Sequence, residues 1–134
     1  METGDMLVAE VMHPGVYACQ PGTPVTEVAR RMVDHDVSAL VVTDDQGYLA
    51  GVVTRTDLIT LRTFEDYWAE LTAEHAMVRQ VLTVSPQATV RQACNLMVEN
   101  RIHRLVVVEK EEACLRPVGV VSQTDIVRNM AAAA

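Results

Sequence analysis

Two short stretches carry the residue types that could do chemistry: Thr54-x-x-Asp57 and Ser122-x-x-Asp125. In each, a hydroxyl stands three residues ahead of a carboxylate, where an apolar strand runs into the start of a helix. Such a junction presents unpaired backbone N–H groups and the positive end of the helix dipole, which suits a phosphate. A carboxylate in the first helical turn can accept both hydroxyls of a ribose, and the apolar strand offers a slot for a flat base. The same spacing is also that of a capping box, in which the hydroxyl caps the helix and the acidic residue reaches back to the N-cap N–H. Residue types and spacing leave both readings standing.

The two stretches end one repeated phrase, GVVTRTD from Gly51 to Asp57 and GVVSQTD from Gly119 to Asp125. The Gly that opens each phrase allows close backbone packing. The phrase closes a longer repeat, in which Pro21 matches Pro86 at an offset of 65 residues, as do Met32 and Met97, Val37 and Ile102, and Leu40 and Leu105. At the phrase itself the offset has grown to 68, so the second copy has three more residues in its turn, VEKEEACLRPV against TDDQGYLA.

Val25, Val28, Ala29, Met32 and Val33 recur at helical spacing in the first copy, and Val90, Ala93, Cys94, Met97 and Val98 in the second, so each set predicts one face of an amphipathic helix. Thr23 ahead of Pro24 is the expected N-cap of the first helix and Thr89 that of the second. Leu40–Thr43 and Leu105–Val108 read as strands covered on both faces. A second strand follows over Leu49–Thr54 or Val118–Ser122. A second helix then carries Leu58, Ile59 and Leu61 or Ile126, Val127 and Met130. Each copy is thus β-α-β-β-α, and the fold class is α/β (α+β). The boundaries expected are 6–64 for repeat 1, 65–78 for a partly helical joint packed by Phe64 and Trp68, 79–130 for repeat 2 and 131–134 for a tail.

The 134 residues are 49% apolar and only 4% aromatic, a globular composition whose core must be aliphatic. A net charge of −7 argues against a nucleic-acid partner, whose binder would be basic. Residues 1–65 hold ten acidic and four basic side chains, residues 66–134 eight and seven, so an anionic ligand is better received by the second half. Three cysteines with no C-x-x-C spacing support neither a disulfide framework nor a zinc site, and point to a reducing cytoplasm. Cys94 reads as a small core residue. His13, His35 and His75 read as solvated or satisfied rather than as ligands, and the acidic turns Asp44-Asp45 and Glu109–Glu112 as solvated. The start of the chain resembles no signal peptide, and no apolar run approaches the ~20 residues of a membrane helix.

The stretches VMHPGVYACQPGTPVTEVARRM, DVSALVVTDDQGYLAGVVTRTDL, HAMVRQVLTVSPQATVRQACNLM and RIHRLVVVEK…PVGVVSQTDI resemble CBS domains, in tandem over residues 6–130, as in a stand-alone Bateman module. The resemblance implies two units related by a pseudo-twofold axis, with clefts between them that bind AMP, ADP, ATP or another adenosyl ligand, S-adenosylmethionine and NAD included. Carried over by residue, Thr54 and Asp57 would hold ribose and phosphate in a first site, with Ser38, Leu82 and Ile102 at the base. In a second site Ser122, Thr124, Asp125, His103 and Arg104 would play the polar roles, with Tyr17, Val37 and Ser38 lining the base pocket.

The copies differ where phosphate would lie. The second reads Ile102-His103-Arg104-Leu105 and the first Val37-Ser38-Ala39-Leu40, so a phosphorylated nucleotide is expected to prefer the Asp125 site. A charge-assisted contact from Arg104 would contribute roughly 1.5–3 kcal/mol. Arg55 is the substitute available to the first site. The function this implies is a non-catalytic regulatory sensor of adenosyl nucleotides, acting on another protein. The alternative is a ligand-free module for assembly or docking. No nucleophile–base pair, metal cluster or Walker loop suggests an enzyme. The second helices, with Leu58, Leu61, Ile126 and Met130, are candidates both for a homodimer face, the family's common mode, and for the monomer core.

Overall fold

A computed structural model of the chain describes residues 6–133. Residues 1–5, the very start of the chain read for a signal peptide, and Ala134 of the tail lie outside the described residues. The elements run α1 (Val8–Val11), β1 (His13–Pro14), β2 (Ala18–Cys19), α2 (Val25–His35), β3 (Ala39–Thr43), β4 (Leu49–Thr54), α3 (Arg55–Phe64), a 3-10 turn (Trp68–Glu70), α4 (Ala73–Ala76), β5 (Thr83–Val84), α5 (Val90–Asn100), β6 (Arg104–Glu111), β7 (Cys114–Ser122) and α6 (Gln123–Ala132). The β-α-β-β-α order is present twice, as β2-α2-β3-β4-α3 and as β5-α5-β6-β7-α6.

The chain divides into two compact units that do not follow the repeat boundaries. One comprises residues Tyr17–Val81, and the other Met1–Val16 with Leu82–Ala134. The segment 6–16, read as the opening of repeat 1, therefore belongs with repeat 2. Most of the segment read as a joint belongs with repeat 1. The exchange keeps the 65-residue offset: Val8 of α1 and Ala73 of α4 are equivalent positions, and each is 0% exposed. A small side chain pointing inward from a one-turn helix completes each core.

In the unit Tyr17–Val81, β3 lies between β2 (parallel) and β4 (antiparallel). The far side of β4 is met by Val78, which exchanges backbone hydrogen bonds with Val52 at 2.9 and 3.0 Å. The core joins Cys19, Val28, Met32, Leu40, Val42, Val53 and Ala73. In the other unit the order is β1-β7-β6-β5, with His13 opposite Val120 and Pro14 opposite Gly119. Its core joins Val8, Val90, Ala93, Met97, Leu105, Val107, Val121 and Ile126, with Cys94 packed against it.

Both glycines of the repeated phrase are required by this closure. A Cβ on Gly51 would lie 2.7 Å from the Val78 carbonyl oxygen, and one on Gly119 would lie 2.7 Å from that of His13. Real Cβ atoms do not approach backbone so closely, and Met77 and Met12 crowd the same two positions.

Several expectations need correction. Thr23 does not cap α2; its hydroxyl accepts the Gln20 N–H at 2.9 Å, and the N-cap position is Pro24, the offset equivalent of Thr89. Thr89 does cap α5, in a reciprocal box with Gln92. Val33 and Val98, at matching positions on α2 and α5, are 78% and 77% exposed, so the covered helical stripe is narrower than the apolar periodicity. Phe64 is exposed and packs no joint, while Trp68 is half-buried with the Arg62 guanidinium 5.1 Å from its ring centre.

The longer turn of the second copy is mostly strand. β6 continues to Glu111 and β7 begins at Cys114, with Arg116 Nε bound to Glu111 Oε2 at 2.6 Å across the hairpin. Asp44, read as solvated, closes its turn by accepting the N–H groups of Gln46 and Tyr48, both at 2.9 Å. Leu58 and Ile126 pack into the cores of their own units and Leu61 is buried, while Ile59, Val127 and Met130 are each exposed.

Candidate functional site

The two hydroxyl–carboxylate pairs fold into matching capping boxes. Thr54 is the N-cap of α3, and its hydroxyl accepts the Asp57 N–H at 3.2 Å. Asp57 Oδ2 in turn accepts the Thr54 N–H at 2.8 Å and the Thr54 O–H at 2.9 Å. Ser122 and Asp125 repeat the pattern at the start of α6, at 3.2, 2.9 and 2.9 Å. The capping reading is met, and each cap uses one carboxylate oxygen. Asp57 Oδ1 has no hydrogen-bond or ion-pair partner among the described residues, while Asp125 Oδ1 faces Arg128 at 4.0 Å.

The start of the preceding strand lies against each cap. Ala39 is opposite Thr54, and the Ser38 carbonyl accepts the Arg55 N–H at 3.0 Å. Arg104 is opposite Ser122, and the His103 carbonyl accepts the Gln123 N–H at 2.9 Å. His103 Nδ1 and Gln123 Oε1 are 3.1 Å apart as well. Ser38 thus lies beside the Thr54–Arg55 helix start, and His103 and Arg104 beside the Ser122–Gln123 helix start.

The helix starts have fewer donors to spare than their position suggests. In α3 the N–H of Arg55 goes to Ser38 and that of Asp57 to the cap. In α6 the N–H groups of Gln123 and Asp125 are used in the same way. Thr56 and Thr124 hold the first-turn N–H groups that these bonds leave over. The cap hydroxyls donate their protons to Asp57 and Asp125, so a phosphate at either cap must displace that bond or be held by N–H groups and side chains instead.

Arg55 stands 3.9 Å from Asp36, an exposed and weak pairing. Tyr17, Val37 and Ser38 belong to the unit of Thr54, and Leu82 and Ile102 to the unit of Ser122. Ile102 packs partly against the core of its unit, while Leu82 is exposed. His35, expected to be solvated or satisfied, is satisfied by a ring: its imidazole stacks on the Tyr17 ring with centroids 4.2 Å apart. No local pattern marks that pair, because α2 and a turn separate the two residues in the chain.

A shallow depression of about 510 Å³ between Thr83, Ser85, Gln87, Glu109 and Lys110 touches neither cap. Among the described residues no His, Cys, Asp and Glu side chains cluster as a metal site, and no helix is long and apolar enough to cross a membrane.

The CBS-domain family model matches residues 8–63 and again 72–132. The chain belongs to the CBS-domain family. Its two copies make it a tandem CBS pair, of mixed α+β fold. A 17.7 kDa protein of Acidianus ambivalens is 26% identical over 121 residues, 90% of this chain and 71% of that protein. Across this and two other curated relatives the chain spans from 25% to 71% of their length.

Solved CBS pairs share the fold. The CBS domain pair of protein MJ0100, in complex with 5-methylthioadenosine and S-adenosyl-L-methionine, superposes with a TM-score of 0.84 at 23% identity, covering 96% of this chain and 98% of that one. CBSX2, in complex with AMP, superposes with a TM-score of 0.82 at 24% identity, over 96% and 98%.

Proposed function

We propose that this CBS pair is a non-catalytic, cytoplasmic sensor of adenosyl nucleotides, of the AMP, ADP or ATP type, that regulates another protein. The observation that carries the reading is the twice-repeated cap in which Asp57 and Asp125 each commit Oδ2 to the helix start. The carboxylate is thereby held in one orientation before any ligand arrives, which lowers the ordering cost of binding a ribose diol. Thr54, Ser122 and Thr124 supply polar contacts around it. Ser38, Leu82 and Ile102, and Tyr17, Val37 and Ser38, take the base-contacting roles that the family resemblance assigns. His103 and Arg104 bias the Asp125 cap toward a phosphorylated ligand. That two fold relatives were solved with AMP and with S-adenosylmethionine and methylthioadenosine supports the ligand class.

A second reading has an observation of its own. The caps are complete without ligand, so the carboxylates have a structural duty that would explain them in a docking or assembly module. Calorimetric titration with AMP, ADP, ATP, S-adenosylmethionine and NAD separates the two, repeated on Asp57→Asn and Asp125→Asn. Asn keeps an oxygen for the cap and removes the charge. Saturable binding lost site by site is the expected result; flat titrations of folded wild type would overturn the sensor reading.

The chain would signal as a homodimer through the faces of α3 and α6 that Ile59, Val127 and Met130 leave apolar and exposed. Light scattering should find a dimer, and Ile59→Glu with Val127→Glu should yield a monomer; a wild-type monomer would discard this mode.

A further inference from the structure

We infer that His35 is a positioning residue for the Tyr17 ring, and that this stacked pair gives one of the two nucleotide sites a base platform that the other lacks. The inference rests on the proposed function, since Tyr17 contacts a base only if the chain binds an adenosyl ligand.

The two rings lie nearly parallel, with centroids 4.2 Å apart and planes 18° from each other. Both are carried on anchored backbone of one unit. The Tyr17 carbonyl accepts the Val41 N–H at 3.0 Å, tying it to β3. His35 is the last residue of α2, which ends as Asp36 turns left-handed at φ 51° and donates its N–H to Met32 and Val33. The next residue, Val37, donates to the Met32 carbonyl at 3.0 Å, and Ser38 follows. The helix end that holds His35 thus leads directly into the other two residues assigned to the base.

Tyr17 remains 43% exposed beside this contact, so the imidazole covers part of the phenol and leaves the rest to solvent. A solvent-facing tyrosine would otherwise exchange rotamers, and a base stacking on it would have to freeze that motion. With His35 against it the ring is ordered before ligand binds, and a base adds to an existing stack.

The other unit has the same positions and no rings. At the 65-residue offset Tyr17 corresponds to Leu82 and His35 to Asn100. Leu82 is 41% exposed, close to Tyr17, so the two positions differ in side-chain chemistry rather than in accessibility. One site therefore offers aromatic stacking to a flat base, and the other only aliphatic contact.

The test titrates AMP, and ribose 5-phosphate as a ligand without a base, into wild type, His35→Ala and His35→Phe. Each is measured in the Asp57→Asn and the Asp125→Asn backgrounds, so that one site is read at a time. His35→Ala should weaken AMP about fivefold in one background only. Ribose 5-phosphate should be unaffected, and His35→Phe should restore AMP. Because His35 lies exposed at a helix end, circular dichroism should show all variants folded; independently, its ring-proton resonances should shift on AMP addition to wild type. Wild-type AMP binding that His35→Ala leaves unchanged, or weakens equally in both backgrounds, overturns this inference and spares the proposed function. A wild type that binds no adenosyl ligand overturns both.

Discussion

Asp57 Oδ2 sits 2.8 Å from the Thr54 nitrogen and 2.9 Å from the Thr54 hydroxyl oxygen, so one carboxylate oxygen collects both donors of a single residue. Asp57→Ala leaves the Thr54 N–H without its acceptor at the start of α3 and should cost about 0.5–2 kcal/mol. Asp57→Asn should cost less. Urea-unfolding midpoints measure both, and an alanine variant with the wild-type midpoint would show that the cap contributes nothing.

Gly51→Ala and Gly119→Ala should each lose about 1–3 kcal/mol, as overpacking against unyielding atoms does. The obstacle is a backbone carbonyl in both, 2.7 Å from the added carbon. Gly22→Ala, which meets nothing within 4 Å, is the control and should unfold near wild type. Thermal denaturation of the three variants would refute the account if Gly22→Ala proved as harmful as the others.

Arg104→Ala should separate phosphate recognition from base recognition. Arg104 opens β6 directly opposite Ser122. Loss of a charge-assisted contact should weaken AMP ~10- to 100-fold and leave adenosine unchanged. Calorimetry with the two ligands decides it; equal AMP affinity in variant and wild type would remove the difference proposed between the two caps.

Burial pushes the Cys19 thiol above its ordinary value of 9.0, opposed in part by the Arg31 guanidinium. Below pH 9 the thiol is protonated in the folded and unfolded chains alike. As pH rises past that value the unfolded chain releases the proton first, so stability falls until the folded thiol ionises too. The loss of stability on going from neutral to alkaline pH should be smaller in Cys19→Ala than in wild type. In a thiol-labelling time course the exposed Cys114 should react first and Cys19 last. Parallel pH–stability curves, or early labelling of Cys19, would contradict this.

The repeat, the β-α-β-β-α order and the boxes at Thr54–Asp57 and Ser122–Asp125 were legible in the sequence because each rests on local rules. Turn residues, side-chain period and a three-residue spacing are properties of adjacent chain. Thr23 misled because two caps were inferred from one residue type, when the offset places Pro24 and Thr89 at the equivalent position. Val33 and Val98 misled because period 3.6 says which residues share a side of a helix and not how wide a stripe its neighbours cover. The hairpin beyond Val108 looked like a polar turn, since an exposed ladder can be built from charged residues paired across it, as Glu111 and Arg116 are.

What the sequence alone determined is a duplicated unit with a carboxylate held at the start of each closing helix. Only the tertiary structure decided that α1 and β1 pack with the second copy while α4 and Val78 pack with the first, which is what makes Gly51 and Gly119 necessary. It also decided that His35 meets Tyr17. These contacts join residues far apart in the chain, and no local preference of either partner encodes them. They follow from which strand edge is left open once each three-stranded arrangement has formed, and from where the left-handed turn at Asp36 directs the end of α2.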